Sequence, residues 1–297
     1  MANATYILQQ CANVVPLAAL YGALAAAYAL PFGITKRADF SFGALHAFAG
    51  QMFVLFAAYG YTNLWLTLPA TLAFAAIIAL LYSALAASII GKHLVQRLAA
   101  QTPNTMLAAS LGTMIVLMEL ARIGSNTHSE WLPPFLNQRV DLSGGVTLTQ
   151  IQLINTVLLV AMAGLAHLLC TRTNFGRSWN AVRDDEFAAR LIGVDSGRVL
   201  RMAYFIGASI AALSALLNTS YLGTMDFGSS LVYGLKIVFI AAIGGALSPG
   251  AAALGGASLA FAETAWSAFA PLIWRDLFVF VLLIVVLMVK GRSGERV

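Results

Sequence analysis

Arg183, Asp184, Asp185 and Glu186 stand consecutively in a chain of which only 10% is charged and 60% is hydrophobic. Acids at the start of a short helix complement its positive end, so this cluster suits a docking knob better than a reacting centre. Other candidates for chemistry lie inside apolar runs: Lys236, Glu263, His46, His167 and the i,i+3 pair Glu119–Arg122. A charge at the middle of a bilayer costs roughly 2.5–3.5 kcal/mol, so each such group implies a function or a partner. No catalytic constellation emerges: there is no H-E-x-x-H, no supported Ser/His/Asp set, and no metal-ligand spacing around Cys11 or Cys170. A phosphate-binding loop needs G-x-x-x-x-G-K-[ST]. At Gly91–Lys92 an alanine replaces its first glycine and His93 follows, so any nucleotide energy must come from another chain.

The elements that position these groups follow from composition. A 297-residue chain with mean hydropathy +0.83 is far from the roughly 25% charge of soluble domains. Nine apolar segments run about 13–31, 40–59, 64–90, 105–122, 151–170, 200–222, 231–247, 251–268 and 273–290. Most approach the roughly 20 residues that cross a bilayer as a helix, and they lack the period-two alternation of barrel strands. The sequence therefore predicts an all-α membrane protein, a polytopic bundle of about eight to nine segments forming one domain over 1–297. The short seventh and eighth segments flank "GGALSPGAAALGG" (244–256), which predicts glycine-broken or re-entrant helices. Thirteen of 17 basic residues fall on one side if the N-terminus is outside and the C-terminus inside, as the positive-inside rule requires. That asymmetry explains the pI of about 9.4 without nucleic acid. Residues 171–199 then form the longest cytoplasmic loop, and 123–150 an external loop that Pro133 and Pro134 keep from being one long helix.

Within the cytoplasmic loop, Ser178 or Asn180 would cap a first helical stretch and Asp184 or Asp185 a second. Gly193 suits a left-handed stop, and Asp195 or Ser196 would cap the next membrane helix. Phe187, Leu191 and Ile192 form an apolar stripe, Arg183 and Arg190 share another face, and Ala188–Ala189 leave room for an approaching surface. A solvated loop that merely obeys the positive-inside rule is the bland alternative. Around the glycine stretch, Gly244, Gly245, Pro249 and Gly250 interrupt helix bonding. Such breaks either line a cavity, where a half-helix amino end can hold a carboxylate, or allow close helix packing. Glu263 reads equally as a packing clasp, with Lys236 or a backbone amino end of the glycine stretch as partner, or as a path-lining group.

Three stretches carry a resemblance. "RSWNAVRDDEFAARLIGVD" (177–195) resembles the ATPase-docking loop of ABC importer permeases of the branched-chain amino acid (LivH/LivM) type. "GLKIVFIAAIGGALSPGAAALGGASLAFAE" (234–263) and "DFSFGALHAFAGQMFVLFAAY" (39–59) resemble that family's glycine-rich segment and second-helix opening. The family's usual INFAHG is ADFSFG here, preceded by Lys36 and Arg37. The resemblance implies a permease subunit of the bacterial inner membrane. It would pair with a second, identical or homologous permease, two cytoplasmic ATPase subunits carrying ATP and magnesium, and a periplasmic or extracellular binding protein. The chain itself would hold no cofactor and catalyse nothing. By the same resemblance, the ATPase-coupling residues are Arg183, Asp184, Asp185, Glu186, Phe187, Ala188, Ala189, Leu191 and Gly193. The substrate path would involve Phe40, Ser41, Gly43, His46, Gly244, Gly245, Pro249, Gly250 and Glu263. Substrates would be branched-chain amino acids or related small amino acids and amides. An ion-coupled secondary transporter is the competing reading, and a non-transporting membrane scaffold a third.

Overall fold

A computed structural model describes residues 2–99, 101–125, 130–142, 145–244 and 248–294. Its helices are α1 (Ala2–Thr35), α2 (Ser41–Thr62), α3 (Leu68–Ile90), α4 (Gln96–Leu98), α5 (Pro103–Gly124), α6 (Gln150–Arg172), α7 (Asn174–Asp184), α8 (Glu186–Leu191), α9 (Ser196–Leu222), α10 (Ser229–Gly244), α11 (Pro249–Phe269) and α12 (Arg275–Gly294). A π turn, Gly91–Val95, joins α3 to α4, and a short 3-10 turn, Leu272–Trp274, precedes α12. Among the described residues, seven helical stretches are long and apolar enough to cross a bilayer. The other two anticipated segments are α10 and α11. The 16 described residues of α10 cover about 24 Å.

Exposure sorts the bundle into an inside and an outside. The spans of α1, α2 and α9 are largely buried, whereas those of α3, α5, α6 and α12 are mostly exposed. Leucine, isoleucine and valine on the outer helices can face lipid tails, which are as apolar as they are. The inner helix α1 has the opposite design: from Ala23 to Leu30 it is alanine, leucine and tyrosine, all fully buried. Small side chains let neighbouring backbones come close. At Gly256 of α11, an added Cβ would lie 2.5 Å from the Tyr21 carbonyl oxygen of α1. At Gly207 of α9 it would lie 2.5 Å from the carbonyl oxygen of Ala27. That carbonyl is the one Pro31 leaves without its helical donor, because proline has no N–H. On α2, a Cβ at Gly43 would run into the backbone of Gly234 on α10.

Helix boundaries follow local chemistry. Thr149 and Gln152 form a reciprocal capping box at the start of α6. Pro69 and Pro103 sit in the first turns of α3 and α5, where a missing N–H costs nothing. Gly223, with φ +80°, closes α9 in the left-handed conformation. One departure from the all-helical reading lies in the 123–150 loop. There β1 (Arg139–Leu142) and β2 (Val146–Thr149) pair antiparallel, with Arg139 opposite Thr149 and Leu142 opposite Val146. The Gln9 amide of α1 bonds both backbone groups of Thr147, at 2.9 Å each, and so satisfies part of the edge of β2.

The close crossing of α1 and α11 gives a direct test. Gly256→Val should lower the thermal midpoint of the detergent-solubilised protein, with an overpacking cost of about 1–3 kcal/mol. Gly164→Val, where no heavy atom lies within 4 Å of an added Cβ, should leave it unchanged. Equal midpoints for the two variants would remove the case for a backbone-tight seam.

Candidate functional site

A cavity of about 490 Å³ lies toward the end of the bundle that holds the first half of α1 and the start of α12. Asn13, Tyr21, Asn155, Asn218 and Tyr233 supply polar wall groups, and Leu17, Leu20, Leu159 and Val232 supply apolar ones. Its floor is ionic. Lys236 Nζ lies 3.1 Å from both carboxylate oxygens of Glu263 and donates to Tyr21 Oη at 3.0 Å. Tyr21 Oη in turn donates to Glu263 Oε2 at 2.8 Å. Lys236 and Glu263 are each 3% exposed. Three helices thus meet in one bonded triangle: α1 through Tyr21, α10 through Lys236 and α11 through Glu263. Register brings them together, since Gly256, which permits the close approach to α1, precedes Glu263 by two helical turns on the same face.

Two more charges cover the triangle from the mouth. Asp276 Oδ1 lies 3.3 Å from Lys236 Nζ, and Arg275 Nε 3.4 Å from Glu263 Oε1. Both side chains are close to half exposed. Arg275 Nε and Asp276 Oδ1 are held by ion contacts alone, without a hydrogen bond. Four alternating charges therefore sum to zero at the cavity floor. Glu263 is a packing clasp with Lys236 and also lines the cavity. Lys236 is locked in that clasp rather than extended toward an interface. Arg275, Asp276, Tyr21 and Tyr233 carry no motif of their own. The signal that points to them is two adjacent opposite charges opening an apolar helix, seen only once Glu263 supplies the partner.

The other anticipated path residues lie elsewhere. Gly43 abuts Gly234. His46 is fully buried, with Nδ1 at 3.0 Å from the Ala211 carbonyl and its ring edge-on to Tyr233 at 4.7 Å. It therefore sits behind the cavity wall rather than in it. Gly250 packs against the His167 ring and Pro249 is buried. Gly244 is the last described residue of α10, and Gly245 lies outside the described residues. Phe40 and Ser41 belong to a network at the opposite end of the bundle. There Asp39 Oδ1 accepts from the Ser41 amide at 2.9 Å and hydroxyl at 2.5 Å, and the Ser41 hydroxyl lies 3.0 Å from Tyr204 Oη.

Burial pushes the Asp39 carboxyl from 3.8 up to about 6, against the two Ser41 bonds that lower it. The folded chain then binds more protons than the unfolded one between these values. Stability accordingly falls as pH rises from about 4 to about 6. Asp39→Asn retains an acceptor oxygen for Ser41 and removes this titration, so the slope of thermal midpoint against pH in that window should flatten. An unchanged slope would mean Asp39 does not titrate there.

The charge cluster at 183–195 builds a two-helix module between α6 and α9. Thr173, not Ser178 or Asn180, caps α7: its side chain accepts from Gly176 N at 3.1 Å. Asp185 breaks the module into two helices by capping α8, accepting from Phe187 N and Ala188 N at 2.9 and 3.0 Å. Gly193 turns at φ +87°, and Asp195 caps α9. Arg183 pairs with Asp184 and lies over the Trp179 ring at 5.0 Å, while Arg190 pairs with Glu186. Trp179, which the sequence does not single out, fastens the module: it is fully buried and donates from Nε1 to the Leu30 carbonyl of α1 at 2.8 Å. Ala189 is buried with it, so only Ala188 of the alanine pair faces outward. Phe187, Leu191 and Ile192 remain 73%, 74% and 76% exposed. Lys36, Arg183, Asp184 and Ser248 line a shared recess, which sets the module beside the α1–α2 and α10–α11 connections.

Breaking the clasp should be severe. Glu263→Gln leaves the buried ammonium with only the half-exposed Asp276 as counter-charge, a loss approaching the ~3–5 kcal/mol of a broken buried pair. Replacing both members, Lys236→Met with Glu263→Gln, should restore most of the thermal midpoint. A double variant no more stable than Glu263→Gln alone would refute the stranded-charge explanation.

Residues 10–287 match the profile of the family described as branched-chain amino acid transport system / permease component. The chain is 28% identical to the high-affinity branched-chain amino acid transport system permease protein LivH of Salmonella typhimurium, over 96% of its length and 94% of that protein. The LivH protein of Escherichia coli strain K12 is 27% identical and BraD of Pseudomonas aeruginosa 26%, each over the same shares. No solved structure matches the chain. With the family profile covering nearly its whole length, the chain belongs to the permease components of branched-chain amino acid transport systems.

Proposed function

We propose that the chain is the transmembrane permease subunit of an ABC importer for branched-chain amino acids or related small amino acids and amides. Its motive force comes from two ATPase subunits in trans. The observation that carries this reading is the α7–α8 module. It presents an exposed apolar ridge amid charges at one end of the bundle, is fastened by Trp179 to α1, and lies opposite the cavity. The positive-inside asymmetry supports a cytoplasmic side for the module and an outer side for the cavity and the strand pair. A binding protein then delivers substrate on the outer side. A second permease, identical or homologous, completes the path.

The mechanism follows from what α1 connects. Leu30, which accepts the Trp179 bond, lies nine residues from Tyr21, roughly 13 Å along the helix. Closure of the ATPase pair displaces the module, and Trp179 conveys that displacement to α1. Tyr21 rides on α1, so the clasp at the cavity floor feels the state of the module. ATP binding favours one arrangement by differential affinity, and hydrolysis releases it. No nucleotide chemistry is asked of this chain.

Phe187→Asp combined with Ile192→Asp tests the reading. Because both side chains are exposed, the variant should keep its elution profile and thermal midpoint. It should lose co-purification of the ATPase subunits, and ATP-driven leucine uptake in proteoliposomes should drop to background. Normal uptake by the double variant would reject the coupling role. Uptake driven by an ion gradient without any ATPase would replace the reading with a secondary transporter.

A further inference from the structure

The cavity floor has a composition that the transport class alone does not require. Two positive and two negative side chains alternate there, Lys236–Glu263 within the protein and Arg275–Asp276 at the mouth. The inner pair is saturated with short bonds and shared by three helices, so it is structural. The outer pair is different: both side chains are near half exposed, both line the cavity, and one polar atom of each has ion contacts but no hydrogen bond. Above them rises the apolar wall of Leu17, Leu20, Leu159 and Val232.

We infer that Arg275 and Asp276 form a station for the zwitterionic backbone of an α-amino acid, with Arg275 taking the carboxylate, Asp276 the ammonium, and the leucine–valine wall the aliphatic side chain. Charge balance selects this ligand. The floor sums to zero, so a zwitterion can exchange partners with Arg275 and Asp276 and leave every charge compensated. A solute with a net charge would leave one charge beside the buried Lys236–Glu263 pair without its counter-charge, which is unfavourable. A guanidinium binds a carboxylate in a planar fork and fixes its orientation. The adjacent positions of Arg275 and Asp276, at the start of α12, place the two charges as neighbours, as the two ends of an α-amino acid are. Small neutral amino acids thus satisfy the site, whereas acidic and basic ones do not.

This inference rests on the importer reading, and its test separates the two. A reporter cysteine is placed on the apolar wall (Val232→Cys, with Leu20→Cys as a second position) after Cys11 and Cys170 are changed to serine. The permease is assembled with its ATPase subunits in nanodiscs, without binding protein, and labelled with a water-soluble maleimide. Leucine should slow labelling. 4-Methyl-2-oxopentanoate, which lacks the ammonium, and isoamylamine, which lacks the carboxylate, should protect more weakly by roughly tenfold or more. Asp276→Asn should bring the keto acid level with leucine, and Arg275→Gln should do the same for the amine. The inference is overturned if all three compounds protect alike, if none protects at either reporter position, or if the substitutions leave the ranking unchanged. If ATP-driven leucine uptake by the complete wild-type system persists alongside such a result, only the station is lost. Absent uptake would instead remove the importer reading beneath it.

Discussion

A lysine and a glutamate buried together in an apolar bundle impose the strictest condition on this fold. Neither can be charged there alone, and the Coulomb gain between them offsets their desolvation only if the geometry is tight and the remaining bonding capacity is filled. Tyr21 fills it, by accepting from Lys236 and donating to Glu263. That requirement fixes the distance and rotation of α1, α10 and α11 relative to one another. It also explains why the seam between α1 and α11 carries glycine and alanine: with a larger residue at Gly256, Tyr21 and Glu263 would be pushed apart. The polar triangle and the small-residue seam are two sides of one constraint.

The same helix that closes the triangle carries the module. Most of α1 between Ala19 and Leu30 touches only protein, so displacement at one end is not dissipated into lipid. Proline at position 31 would ordinarily weaken such a rod. Here the carbonyl it orphans faces Gly207, and the neighbouring carbonyl of Leu30 receives the Trp179 indole. The module is therefore not a loop lying against the bundle but an extension of its central element. Its outward face is left apolar and charged, while its inward face, with Trp179, Val182 and Ala189, is core.

How much of this the sequence revealed depends on the range of the interaction. Features set by neighbours along the chain are legible: the apolar segments, a cap at Asp184 or Asp185 and another at Asp195 or Ser196, which the fold resolves to Asp185 and Asp195, the Gly193 turn and the Glu119–Arg122 pair. The Lys236–Glu263 contact was partly legible, because a buried charge demands a partner and few were available. The strands at 139–142 and 146–149 are hard to read from the sequence, since four residues each give little periodicity to detect. Trp179, Tyr21 and Asp276 were illegible because their roles depend on helices far away in the chain. Glycine and histidine suit either packing or function, so the types of Gly43 and His46 do not reveal their neighbours, which are Gly234, Ala211 and Tyr233.

Tyr233 links these assignments. Its hydroxyl accepts from Asn218 at 2.8 Å, its ring meets His46, and it lines the cavity. The residue that follows it, Gly234, makes the close contact with Gly43. A shift of α2 against α10 must therefore move a cavity wall, even though neither Gly43 nor His46 reaches the cavity. Gly43 and His46 can thus shape the cavity from behind its wall, by setting how closely two backbones approach. The cavity's walls are set by packing and its floor by charge, and both converge on the first turns of α10, where Tyr233 and Lys236 lie three residues apart.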